Sequence, residues 1–146
     1  MLTIPIDILI VDDERDFVDM LSMRLEDAGH RVRAAYAGDA GLAAVDQAEP
    51  DVVILDIRMP GKDGITVLKL LKASHPIVEV ILLTGHGTID TAVEGLKTGA
   101  FDYVQKPANF DELLAKLEAA RHRKAEHEER IRRAEARALI RSSGDI

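Results

Sequence analysis

Five polar residues stand at the ends of apolar runs in this chain: Asp12, Asp13, Asp56, Thr84 and Lys106. Asp12 and Asp13 follow Ile6-Asp7-Ile8-Leu9-Ile10-Val11, and Asp56 follows Val52-Val53-Ile54-Leu55. Thr84 closes the run 78–83, and Lys106 comes soon after Phe101-Asp102-Tyr103-Val104. If the runs are parallel strands, their carboxyl ends share one edge and these residues meet there. Carboxylates at close range repel strongly at neutral pH. Protonation, the Lys106 ammonium or a divalent cation would have to offset that repulsion. Oxygen donors without His or Cys at the strand ends favour Mg2+ or Mn2+ over zinc. A carboxylate beside such an ion, with a lysine and a hydroxyl near, suits phosphoryl transfer onto that carboxylate. A cis Lys106-Pro107 peptide would aim the ammonium into the site.

The elements that must position these residues alternate along the chain. Residues 52–55 read as a strand buried on both faces, bounded by Asp51 and by Pro60-Gly61. Residues 6–11 form a second such strand. Phe17, Leu21 and Leu25 mark an amphipathic helix ending near Ala28-Gly29. Arg31-Val32-Arg33-Ala34-Ala35 alternates as an edge strand does, and residues 38–48 are helical with Leu42 and Val45 inward. After Pro60-Gly61-Lys62-Asp63-Gly64, a helix turns Ile65, Leu68 and Leu71 inward and stops before Pro76. The run 78–83 is the fourth strand, and Ile89, Val93 and Leu96 mark the apolar stripe of the next helix, which Gly99 ends. Residues 101–104 give a short fifth strand, and a last helix from about Asn109 carries Phe110, Leu113, Leu114 and Leu117. Strands alternating with helices predict an α/β fold: a parallel sheet with helices on both faces.

The length of 146 residues suits one domain. No apolar run reaches membrane-spanning length and no signal segment opens the chain, which predicts a cytoplasmic protein without membrane contact. Cysteine is absent, so disulfides, thiolate metal sites and cysteine nucleophiles are excluded. Residues 1–120 carry 11 Lys/Arg against 21 Asp/Glu, and residues 121–146 carry 8 against 5. An acidic body disfavours direct nucleic-acid binding, which needs a basic surface.

Residues 121–140 are rich in Ala, Glu and Arg, good helix formers. Glu126/Arg130, Glu128/Arg132 and Glu129/Arg133 are favourable four-apart pairs. Lys124, His127, Ile131, Ala134 and Ala138 make a poor coiled-coil seam, leaving a solvated helix and a coiled coil both open. Ser142-Ser143-Gly144-Asp145 reads as a disordered end. A continuous helix over residues 109–140 would project about 48 Å at 1.5 Å per residue. It could serve a dimer partner or a kinase.

Taken together, the pieces resemble the receiver domain of two-component response regulators over roughly residues 6–120. They are Asp12-Asp13, Leu55-Asp56-Ile57-Arg58-Met59-Pro60-Gly61-Lys62-Asp63-Gly64, Leu83-Thr84-Gly85 and Phe101-Asp102-Tyr103-Val104-Gln105-Lys106-Pro107. The wording from Thr84-Gly85-His86-Gly87 to Lys106-Pro107 is most similar to receivers of NtrC-type transcription activators. The resemblance implies a doubly wound, CheY-like sheet of strand order 2-1-3-4-5, extended here by the long last helix. It divides the chain into a receiver domain, 1–120, and a helical charged tail, 121–146. It also implies that Asp56 accepts the phosphoryl group from a histidine kinase or phosphotransfer protein, and that Lys106 pairs with that group. Asp13 would bind Mg2+ directly, Asp12 mainly through water, and the Arg58 carbonyl would be a further ligand beside Asp56. Thr84 and Tyr103 would form the switch pair, with Arg58 and His86 tuning the phosphoryl lifetime. The output would be a changed face of the fourth helix, fifth strand and fifth helix, read by a protein target or used for homodimerisation.

Two rival readings follow from the same residues. A Mg2+-dependent phosphatase with an aspartyl nucleophile would place a second carboxylate two residues after it, where this chain has Arg58. A scaffold without phosphorylation would have no need to tolerate the acidic cluster beside Lys106.

Overall fold

In the computed structural model, which describes residues 4–85 and 89–143, the alternating pattern becomes a five-stranded parallel sheet of order β2-β1-β3-β4-β5. The chain runs β1 (Asp7–Val11), α1 (Arg15–Asp27), β2 (Arg31–Ala35), α2 (Gly38–Gln47), β3 (Val52–Asp56), α3 (Gly64–Ser74), β4 (Glu79–Thr84), α4 (Ile89–Thr98), β5 (Asp102–Gln105) and α5 (Phe110–Ser143). The two runs read as doubly buried are the central strands β1 and β3; β4 lies beside β3, and every residue of β3 and β4 is buried. The alternating Arg31–Ala35 run lies at one edge and β5 at the other.

The sheet separates two cores. Ile8, Ile10, Ile54, Ile81, Leu83 and Val104 face α1 and α5 through Val18, Leu21, Leu25, Leu113 and Leu117. Leu9, Val11, Val53, Leu55, Val80 and Leu82 face α2, α3 and α4 through Val45, Val67, Leu68, Leu71 and Ala92. Burial of such side chains contributes roughly 1.5–3 kcal/mol each.

Helix α4 departs from the predicted stripe. Its buried residues are Ala92 and Gly95, while Ile89 and Val93 are exposed and only Leu96 packs in part. A Cβ at Gly95 would overlap Leu82 Cδ1, so α4 rides close on β4 and meets it with small residues.

Helix α5 is continuous over 34 residues, about 51 Å at 1.5 Å per residue, and it includes Ser142 and Ser143, where loss of order was expected. Gly144 and Asp145 lie outside the described residues. Of the predicted four-apart pairs, Glu129 meets Arg133 at 3.2 Å. Glu128 pairs with Lys124 at 3.3 Å instead, and Glu126 with His122 at 3.2 Å. Lys124, assigned to a poor seam, is buried against Asp51 at 3.3 Å. Side chains that far along the chain are thus held by the sheet.

Candidate functional site at the carboxyl edge of the sheet

Strand register decides which residues can meet. Asp56 pairs with Leu83, whose side chain faces α1 and α5. The ladder continues past the strand ends: the Asp12 N–H donates to Ala35 O at 3.1 Å and the Lys106 N–H to Thr84 O at 2.7 Å. Alternation therefore puts Asp12, Asp56 and Lys106 on one face. Tyr103 pairs with Leu82, and Thr84 lies two residues further, so both belong to the α4 side of the sheet.

The predicted acids do converge. Carboxylate oxygens of Asp12, Asp13 and Asp56 all lie within 4.8 Å of one another, with Asp12 and Asp56 buried and Asp13 exposed. Lys106 Nζ lies 2.7 Å from Asp12 Oδ2, 3.2 Å from Glu14 Oε1 and 3.5 Å from Asp56 Oδ2. The Lys106-Pro107 peptide is cis. Asp12 Oδ1 accepts the Glu14 N–H at 2.9 Å and Asp56 Oδ1 accepts the Arg58 N–H at 3.3 Å. Asp12 Oδ2 is buried and makes no hydrogen bond of regular geometry, although the Lys106 ammonium lies 2.7 Å from it. The Thr84 hydroxyl is also buried without a partner. Orphaned buried polar atoms are costly and point to a missing partner.

Burial pushes the Asp56 pKa up to about 6, the Asp12 charge adds to the rise, and Lys106 opposes it. Desolvation works against the Lys106 ammonium, but Asp12, Asp56 and Glu14 outweigh it and hold its pKa above the usual lysine value. The all-oxygen donor set of Asp12, Asp13 and Asp56 fits a hard divalent cation.

Local sequence explains the shape of the pocket. Asp63 caps α3, its Oδ1 accepting the Thr66 N–H at 2.8 Å. Gly64 follows because a Cβ there would overlap the Asp56 carbonyl. Arg58 is exposed and, with Ile57, Met59, Pro60, Asp63, Ile65 and Thr91, lines a hollow of about 480 Å³. Tyr103 is half-buried against the α4-side core; Lys116 Nζ sits 5.6 Å over its ring and donates to its carbonyl at 2.7 Å. His86 lies outside the described residues. Asp13 does not cap α1; the N-cap is Glu14, whose side chain makes no cap hydrogen bond. Glu14 is the pocket residue that sequence reasoning missed. It was visible only as the third acid after β1.

The response regulator receiver domain family matches residues 8–118. The chain belongs to that family. It is 42% identical over 116 residues to the nitrogen assimilation regulatory protein NtrX of Azorhizobium caulinodans, covering 78% of this chain and 26% of that protein. It is 44% identical over 115 residues to the transcriptional regulatory protein ZraR of Escherichia coli K12, covering 79% and 26%. The receiver domain of NtrX from Brucella abortus superposes with a TM-score of 0.76 at 41% identity, covering 80% of this chain and 98% of that one. The longer NtrX structure from the same organism gives 0.81 at 38% identity, covering 86% and 29%. The chain spans about a quarter of the length of the curated relatives it matches. As in those receivers, the observed strand order is 2-1-3-4-5. Among the described residues no helix is long and apolar enough to cross a membrane.

Proposed function

We propose that the chain is a phosphorylation-activated signalling switch whose acceptor is Asp56. The observation that carries the reading is the meeting of Asp12, Asp13 and Asp56 with one lysine in a partly closed pocket. An Asp56 carboxylate oxygen forms the O–P bond as the N–P bond of a kinase phosphohistidine breaks. The imidazole keeps the electron pair and takes a proton. Mg2+, or Mn2+, held by Asp12, Asp13, Asp56 and the Arg58 carbonyl would neutralise charge on the transferring oxygens. Lys106 pairs with one phosphoryl oxygen, and the Thr84 hydroxyl donates to another. Tyr103 then turns inward beside the displaced Thr84. Water attack on phosphorus later breaks the O–P bond, releasing phosphate and restoring the carboxylate; Arg58 and His86 tune that step. Catalysis is confined to this gain and loss.

The receiver unit is taken as residues 1–120, with residues 121–146 as its helical tail. The face of α4, β5 and α5 carries the signal to a downstream protein, or to a second copy through that face or through α5. The exposed Ile89 and Val93 supply apolar area there. The shift is one of populations, limited by how differently the phosphoryl group contacts the two states. A cytoplasmic location beside the kinase suits this role. No direct nucleic-acid contact is expected of residues 1–146, which carry a net charge of −7.

Intact mass after incubation with acetyl phosphate tests the reading. One phosphoryl adduct is expected with Mg2+, and none with chelator or in Asp56→Asn. A persistent adduct in that variant would sink the assignment.

A further inference from the structure

Lys106 has more partners than its proposed role uses. An ammonium has three N–H donors, and three carboxylates surround this one: Asp12 at 2.7 Å, Glu14 at 3.2 Å and Asp56 at 3.5 Å. The Phe17 ring closes another side, its centroid 4.6 Å from Nζ. Glu14 is separated from Lys106 by 92 positions of sequence. It occupies the N-cap of α1 yet makes no cap hydrogen bond; its side chain reaches across the pocket mouth instead. It is also the most exposed of the three acids, at 64% against 0% for Asp12 and 8% for Asp56. Water can therefore replace it at little cost, whereas the buried Asp12 has no such substitute.

We propose that Glu14 is a positioning residue: it draws the Lys106 ammonium to the mouth of the pocket and must release it before Lys106 can pair with a phosphoryl group on Asp56. This inference rests on the reading of Asp56 as phosphoacceptor. The Glu14 contact belongs to the ground state, and the phosphoryl contact to the transition state and product. Removing an interaction made only in the ground state lowers the barrier. An exposed ion pair of this kind corresponds to about a two- to fivefold change in rate.

The test uses residues 1–146 with Glu14→Gln, which removes the charge, and Glu14→Asp, which keeps the charge but shortens the reach. One readout, in chelator, is hydrogen exchange of the Lys106 side-chain ammonium by nitrogen-15 NMR. The other is the Mg2+-dependent rate of adduct formation across acetyl phosphate concentrations. Both variants should speed ammonium exchange and raise the saturating rate about two- to fivefold, leaving the half-saturating donor concentration unchanged. Should Glu14→Asp behave as wild type while Glu14→Gln accelerates, repulsion of the anionic donor governs the rate and the tether is overturned. Unchanged ammonium exchange in both variants overturns it as well. If wild type forms no adduct at all, the Asp56 reading fails, and the exchange measurement alone decides the tether.

Discussion

At the amino end of the sheet, Asp51 accepts the Asp7 N–H at 2.9 Å, meets Lys124 at 3.3 Å and has Arg121 at 4.0 Å. Nearby, buried Glu79 lies between Lys72 at 3.6 Å and Arg123 at 3.4 Å. At the carboxyl end the proportions reverse. Asp12, Glu14 and Asp56 share Lys106, Asp13 lies close to two of them, and the Thr84 hydroxyl has no hydrogen-bond partner. One fold thus carries two clusters of buried charge with opposite accounting. Where cations outnumber acids, the charges fasten α5 to the sheet. Where acids exceed cations, the deficit suits the divalent cation and phosphoryl group that the proposed function requires.

The largest expected effect strikes the amino end. Ending the chain after Ala120 removes Arg121, Arg123 and Lys124 and leaves Asp51 and Glu79 short of cations. Urea denaturation should show a loss of about 3 kcal/mol, since stripping a buried acid of its partner is far costlier than trimming a surface pair. Ending after Glu128 keeps those contacts and should change stability by less than about 0.5 kcal/mol. Equal losses in the two truncations would show that the base cluster is not what anchors α5.

The carboxyl end should respond in the opposite sense. Asp56 has its folded pKa raised from 3.8 to about 6, so the folded state holds that proton more tightly than the unfolded chain. Its contribution is then most favourable below about pH 4 and is lost as pH rises through about 6. In chelator at pH 7.5, Asp56→Asn should therefore be more stable than wild type, by on the order of 1–3 kcal/mol. The gain should fade toward pH 4. Mg2+ should stabilise wild type more than the variant, as the proposed binding to the folded carboxylates requires. A variant less stable than wild type at pH 7.5 would mean that the pocket is not strained by charge.

The ends of the sheet were not equally legible in the sequence. The carboxyl-end residues announced themselves because each acid closes an apolar run, as Asp12 and Asp56 do. The inward face of α4 was misread because Ala92 and Gly95 carry little hydrophobic signal; close helix approach needs small residues, and Ile89 and Val93 drew the stripe to the wrong side. The amino-end cluster was invisible for a related reason. Lys124 and Arg123 look like solvated residues of a charged helix, and only tertiary folding brings Asp51 and Glu79 beneath them. Glu14 was passed over because three adjacent acids do not show which of them turns toward a lysine across the pocket.

The smallest expected effect sharpens the contrast at the amino end. His75 bridges Asp46 at 2.7 Å and Glu49 at 2.8 Å, and those carboxylates raise its pKa above 6.5. Its stabilisation is complete below pH 6.5 and is lost as pH rises through the folded value. His75→Gln should cost about 0.5 kcal/mol at pH 5.5 in urea denaturation, the scale of exposed pairs. At pH 8.5 the cost should shrink. A cost that grows with pH would reverse the assigned charge state.

Reductive trapping of the acyl phosphate tests the central claim most directly. Protein labelled with acetyl phosphate and Mg2+ is treated with borohydride, which converts a phosphorylated aspartate to homoserine, and the site is mapped by peptide mass spectrometry. Conversion confined to position 56 is the result the account predicts. Conversion at Asp12, Asp13 or the well-paired Asp51 would contradict it.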